Sequence, residues 1–199
     1  TMGLALFLPL IVNIACLFQT LRRNSVHSSP ELLFGVSSLV MILAGALFGI
    51  PLLLGAEQSS KSYYMLGHFH YLFGPGAIFA FFAGVYSFGS QIFGKKLNET
   101  LSYLHFWPTL FGMNVVFLPM VILGVLGIAG EDILESGVSV AREVVFLQQI
   151  SSSGVFFLLV SQLPFLLNCL FAICRPEFWA RFDMLQERAS AAIQPGSTY

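Results

Sequence analysis

The sequence predicts an all-α integral membrane fold. Three observations predict it. Only 10% of the 199 residues are charged and 56% are hydrophobic, whereas a soluble domain carries about 25% charge. Five apolar runs are each long enough to cross a bilayer, which takes about 20 mostly apolar residues. The connections between them are short and polar, with no room for a soluble domain.

The runs give predicted helices over 3–21, 32–54, 63–93, 103–128 and 144–174, followed by a polar tail over 175–199, all in one membrane domain. Pro9, Pro51, Pro75, Pro108, Pro119 and Pro164 lie within or near these runs. Such prolines are tolerated where neighbouring helices satisfy the freed carbonyls, so a packed bundle is expected rather than separate anchors. The 21 phenylalanines are expected to fill lipid-facing and inter-helix space. The formal net charge of −1 gives no basic field for nucleic acid. Cys16, Cys169 and Cys174 form no CxxC and read as apolar packing rather than a metal or disulfide framework. No secretory signal is visible, and the opening at Thr1 within an apolar run suggests that part of the functional unit lies on another polypeptide.

Basic residues set the orientation. Arg22, Arg23, Lys95, Lys96, Arg175, Arg181 and Arg188 fall in the first and third connections and the tail. The second and fourth connections carry only Lys61 and Arg142. An outside N-terminus and an inside C-terminus follow, as five spans require. The start of the third run, with Tyr63 and Tyr64, then faces outside.

His68 and His70 are the histidines deep within a run, in Gly67-His68-Phe69-His70-Tyr71. Ionisable groups in a membrane are costly and mark function. The plainer reading is that each ring bonds a neighbouring helix carbonyl. On a helix, positions i and i+2 point about 200° apart. The two rings therefore leave opposite sides at nearly one depth and cannot chelate one metal, for which i and i+4 is the natural pair. They can serve two cofactors on either side of the helix. Neutral imidazole is a common axial ligand of haem iron, and Phe69 would lie between two such macrocycles.

The stretch YYMLGHFHYLFGPGAIFAFFAGV resembles the tenth helix of haem-copper oxidase subunit I, of the cytochrome c oxidase type. Leu97-Asn98-Glu99-Thr100 with His105-Phe106 resembles that family's approach to the eleventh helix, and Gly112, Asn114 and Pro119 keep its spacing. Ile150-Ser151-Ser152 and Gly154 resemble the start of the twelfth; Thr1-Met2, Pro9 and Thr20-Leu21 resemble the eighth. The similarity therefore runs over helices eight to twelve, nearly the whole chain.

The resemblance implies five helices completing a twelve-helix bundle. It implies that His68 ligates the high-spin haem iron and His70 the low-spin haem iron, with two haems of haem a type. The copper beside one haem would be held by a companion chain, because the family's copper histidines lie on helices outside this sequence. The implied partners are the N-terminal part of subunit I on another chain, subunits II and III, cytochrome c as electron donor and the lipid membrane. The implied activity is reduction of oxygen to water with coupled proton translocation, in a mitochondrial inner membrane or a bacterial plasma membrane.

Several positions depart from the family pattern. A lysine on the family's helix eight, part of a proton path, aligns with Asn13. The magnesium-binding His-Asp pair aligns with Ser60 and Lys61, and the propionate-holding arginine pair with Gly130 and Glu131. His27 reads as a loop histidine, His105 beside Trp107 as a packing or interfacial hydrogen-bonding residue, and Glu131, Asp132 and Glu135 as a solvated acidic cluster. A quinol oxidase and a structural relic of subunit I carry the same helices. An unrelated di-haem cytochrome would place its histidine pairs on facing helices instead.

Overall fold

The computed structural model describes residues 14, 15, 19, 28–50, 63–94, 97–126, 142–174 and 184. Most of the predicted first helix and the polar tail lie outside the described residues. So do Asn13, Cys16, His27, Ser60, Lys61, Gly130, Glu131, Asp132 and Glu135. Among the described residues all regular structure is helical. It comprises α1 (Pro30–Phe48), α2 (Tyr63–Ile92), α3 (Glu99–Val125), α4 (Arg142–Ser161) and α5 (Leu163–Ile173). α1, α2, α3 and the combined run Val144–Ile173 are each long and apolar enough to cross a membrane.

The helix starts are set by local chemistry that an apolar run does not reveal. α1 begins two residues before the apolar run because Pro30 occupies its first turn, after Ser29 in extended conformation. Proline suits that position, since its fixed φ is helical and the missing N–H would be unpaired anyway. α3 begins at Glu99, ahead of the predicted start, because the Asn98 side chain accepts from Leu101 N at 3.0 Å and caps the first turn. The last run is continuous in hydropathy but not in structure. Pro164 has no N–H for the carbonyl four residues back, and the chain tightens at Gln162, whose N–H reaches Leu159 O at 3.2 Å.

Successive spans, counting α4 and α5 as one, pack antiparallel on each other. Phe34 near the start of α1 meets Phe82 and Tyr86 near the end of α2. Ser151 early in α4 donates to Val116 O late in α3. α3 is central, touching α1, α2, α4 and α5. Lipid gives helices no hydrophobic reason to associate, so close backbone approach and inter-helix hydrogen bonds must hold them. Gly124 supplies the closest approach: a Cβ there would lie 2.1 Å from Tyr64 N.

Aromatic rings fill the end of the bundle remote from the histidine pair. Phe34 is fully buried and lies within 5.6 Å, centroid to centroid, of Phe79, Phe82, Tyr86, His105 and Phe106. Phe73, Phe81, Phe111 and Phe156 point outward and are largely exposed. The phenylalanines thus divide between inter-helix space and the outer surface of the described helices.

His105, read from sequence as packed or hydrogen-bonded beside Trp107, is fully enclosed. Its Nε2 lies 3.1 Å from Gln162 Oε1, and its Nδ1 lies 3.0 Å from Tyr86 Oη. An amide oxygen only accepts, so Nε2 carries the proton and Nδ1 accepts from the tyrosine. The Gln162 amide then donates to Thr109 Oγ1 and Ser161 Oγ. One layer further along, Asn168 spans α5 to the start of α3. It accepts from Asn98 N at 2.8 Å and donates to Asn98 O at 2.9 Å and to Ser102 Oγ at 3.1 Å. Among the described residues no buried side-chain N or O lacks a partner.

Two outcomes follow from this packing. Gly124→Ala should push α2 away from α3 and destabilise the protein by about 1–3 kcal/mol, as overpacking does; detergent-induced unfolding measures it. Gln162→Leu should cost about 1–3 kcal/mol by leaving His105 Nε2 unpaired, whereas Gln149→Leu, at an exposed position, should be close to neutral in the same titration.

Candidate cofactor-binding site

His68 and His70 lie on the second turn of α2, and both rings are partly buried. The helical spacing sends them to different neighbours. His68 faces α1, and its Nδ1 lies 2.7 Å from Gly45 O. His70 leans back on its own helix, with Nδ1 2.7 Å from Leu66 O, and its face stacks on Phe117 of α3 at 4.9 Å and 28°.

A carbonyl oxygen can only accept. In both rings Nδ1 must therefore carry the hydrogen, and neutral imidazole then has its lone pair on Nε2. No described residue offers either Nε2 a hydrogen bond. Histidines that bind metal commonly donate their other ring N–H to a carbonyl, which fixes tautomer and orientation and raises ligand basicity. The chain thus presents two oriented imidazole donors on opposite sides of one helix. The plainer reading holds at Nδ1 of each ring, and it leaves the other nitrogen unused, because carbonyl bonding takes one nitrogen only.

Small residues make this arrangement possible. Gly45 and Gly49 lie one turn apart on the face of α1 toward α2. A Cβ on Gly45 would lie 2.7 Å from Leu72 N, so the backbones meet there and Gly45 O comes within reach of His68. A Cβ on Gly49 would lie 2.8 Å from His68 Cε1, so that glycine leaves room for the ring itself. The Gly-x-x-x-Gly pattern over 45–49 was available in the sequence as a close-packing signal. Phe117 had no such signal, because nothing local says which ring of a Phe-rich chain lies against His70.

Phe69 points outward between the histidines, 42% exposed, with its ring stacked on Phe73 at 6.0 Å and 17°. Tyr71, two residues beyond Phe69, is buried and donates to Asn114 Oδ1 at 3.0 Å, tying α2 to α3 beside the site. His105 is not part of this region. It lies near the opposite end of α2, against Tyr86, about 25 Å along the helix from the pair at 1.5 Å per residue. Among the described residues no three His, Cys, Asp or Glu side chains are grouped to hold a metal ion, so each histidine offers a single ligand.

Comparison with known proteins gives the family of the chain. Residues 1–157 match the family model described as cytochrome c and quinol oxidase polypeptide I. The chain is 35% identical over 121 residues to cytochrome c oxidase subunit 1 of Yarrowia lipolytica, covering 60% of this chain and 23% of that protein. It is 33% identical over 122 residues to that of Candida albicans, with the same coverage. Against that of Synechocystis it is 31% identical over 169 residues, covering 81% of this chain and 29% of the relative. The chain thus spans less than a third of the length of these curated relatives. With the family match extending through the helices that carry both histidines and their supports, the chain belongs to the cytochrome c and quinol oxidase polypeptide I family.

Proposed function

We propose that this chain is the haem-ligating C-terminal portion of subunit I of a cytochrome c oxidase, inactive alone and completed by a companion chain. His68 Nε2 ligates the high-spin haem iron and His70 Nε2 the low-spin haem iron, with Phe69 between the two haems. The single observation carrying this reading is the pair of Nδ1–carbonyl hydrogen bonds, which leaves two Nε2 lone pairs on opposite sides of α2. When bound, the haems, of haem a type, supply the redox chemistry by which electrons from cytochrome c reach oxygen.

The remaining work is done by the chain's own residues. Gly45 O holds the His68 N–H and so fixes the lone pair facing the high-spin site. Leu66 O and Phe117 do the same for His70. The packed Tyr71–Asn114 contact closes the α2–α3 seam beside the rings. The companion chain, the N-terminal part of subunit I, provides the copper ligands. Subunits II and III complete the complex in the mitochondrial inner membrane, or in a bacterial plasma membrane in a prokaryotic source. Magnesium binding at Ser60 and Lys61 is not expected, since a hydroxyl and an ammonium replace a His-Asp pair. The family description also covers quinol oxidases, and that is the second reading. The sequence similarity to cytochrome c oxidase subunits favours the first.

His70→Ala in the assembled complex should abolish the low-spin haem absorption, and His68→Ala the carbon monoxide-binding signal. Persistence of both signals in both variants would remove the assignment. Mild solubilisation should co-purify a companion of about seven spans, the remainder of the twelve-helix bundle implied by the resemblance, each of about 20 residues; isolation of this chain alone with full oxidase activity contradicts the proposal. Asn13, at the position of a family proton-path lysine, is proposed to orient a water chain on the uptake side, since an amide both donates and accepts. Asn13→Leu should then slow reduction of the oxygen-binding haem and leave the low-spin spectrum intact, as stopped-flow spectroscopy would show.

A further inference from the structure

The two histidines are held by unequal means. His68 is fixed by a hydrogen bond to another helix and by the narrow space beside Gly49. Among the described residues its one aromatic neighbour is Phe69, the next residue in the chain, tilted at 52°. Among the described residues His70 has a hydrogen bond only to its own helix, four residues back. That bond pins one edge of the ring and leaves rotation about it open. The face of the ring is closed by Phe117, stacked at 4.9 Å and 28°.

Phe117 is itself fixed by other side chains. Tyr71 meets its ring edge-on at 6.4 Å and 66°. Gly74 lies beneath it, where a Cβ would stand 3.9 Å from Phe117 Cε2 and Cζ. Tyr71 in turn donates to Asn114, whose amide donates to Leu110 O at 2.8 Å. The plane of the His70 ring is therefore set by α3 rather than by α2 alone.

We propose that Phe117 is a positioning residue that sets the rotation of the His70 imidazole about its bond to the low-spin haem iron. The proposal rests on His70 being that ligand. In a low-spin ferric haem, the orientation of an axial imidazole plane contributes to the splitting of the iron d orbitals. The largest g value in electron paramagnetic resonance reports that splitting directly. The same orientation modulates donation from ligand to iron, and with it the reduction potential, beside the hydrogen-bonding and burial levers known for haem proteins.

The experiment uses the assembled oxidase, with its companion chain, in native membranes. Phe117→Leu removes the flat ring face and keeps an apolar side chain. It should shift and broaden the largest low-spin g value and move the low-spin haem potential. Haem content and the carbon monoxide-binding spectrum should stay as in wild type. Phe117→Tyr keeps the ring and should restore the wild-type g value. Phe111→Leu, on the same helix but packed against Phe157, should leave the signal unchanged. A wild-type g value and potential in Phe117→Leu overturn the inference. If Phe117→Leu and Phe117→Met both fail to assemble while Phe111→Leu assembles, the ring is a folding requirement and the positioning role is likewise overturned. His70→Ala separates the two levels. Retention of the low-spin haem in that variant overturns the ligand assignment and this inference together. Its loss, with a silent Phe117→Leu, overturns this inference alone.

Discussion

The close approach of α1 to α2 at Gly45 is the constraint on which the rest of the site depends. A Cβ at that position would lie 2.7 Å from Leu72 N, so only hydrogen fits between the two backbones. That contact brings the Gly45 carbonyl within 2.7 Å of His68 Nδ1. In a low-dielectric interior an unpaired N–H is costly, and the carbonyl satisfies it without using a side chain. The ring's other nitrogen is then free to act as a ligand. One backbone contact thus fixes helix spacing, ring tautomer and the direction of the Nε2 lone pair together.

The second seam, between α2 and α3, follows the same logic with different atoms. Gly124 lets the start of α2 meet the end of α3, and Tyr71 donating to Asn114 holds the middle of the seam. Phe117 consequently lies against His70 rather than against lipid. At the far end the seam is held by Tyr86 and His105, and α5 is tied to the start of α3 by Asn168. The bundle is therefore pinned by polar contacts at both ends, with aromatic packing filling the space at the His105 end. Inter-helix hydrogen bonds of this kind do in a membrane part of what hydrophobic burial does in water.

Much of the fold was legible in the chain, because spanning helices must be long and apolar. The runs at 63–93 and 144–174 correspond closely to α2 and to the combined α4 and α5. The differences have local causes. Pro30 and Asn98 start their helices earlier than hydropathy does, since capping depends on a single residue and not on a window. Pro164 breaks the last helix at Gln162, and that break turns the glutamine amide toward His105. The sequence allowed packing or interfacial hydrogen bonding for His105 beside Trp107 but named no partner. Its true partners, Tyr86 and Gln162, are 19 and 57 residues away in the chain.

The sequence by itself determined that the chain is helical and apolar, and that His68 and His70 leave opposite sides of one helix. Those are consequences of the 3.6-residue period and of composition, both local quantities. It also determined the family, through motifs that occupy contiguous stretches of chain. Only the tertiary structure decided which nitrogen of each imidazole is available, because the answer lies in carbonyls brought near by folding: Gly45 O from 23 residues away and Leu66 O one turn back. It also decided that Phe117, among 21 phenylalanines, is the ring stacked on His70. Stacking depends on where two helices cross, and no local pattern encodes that crossing.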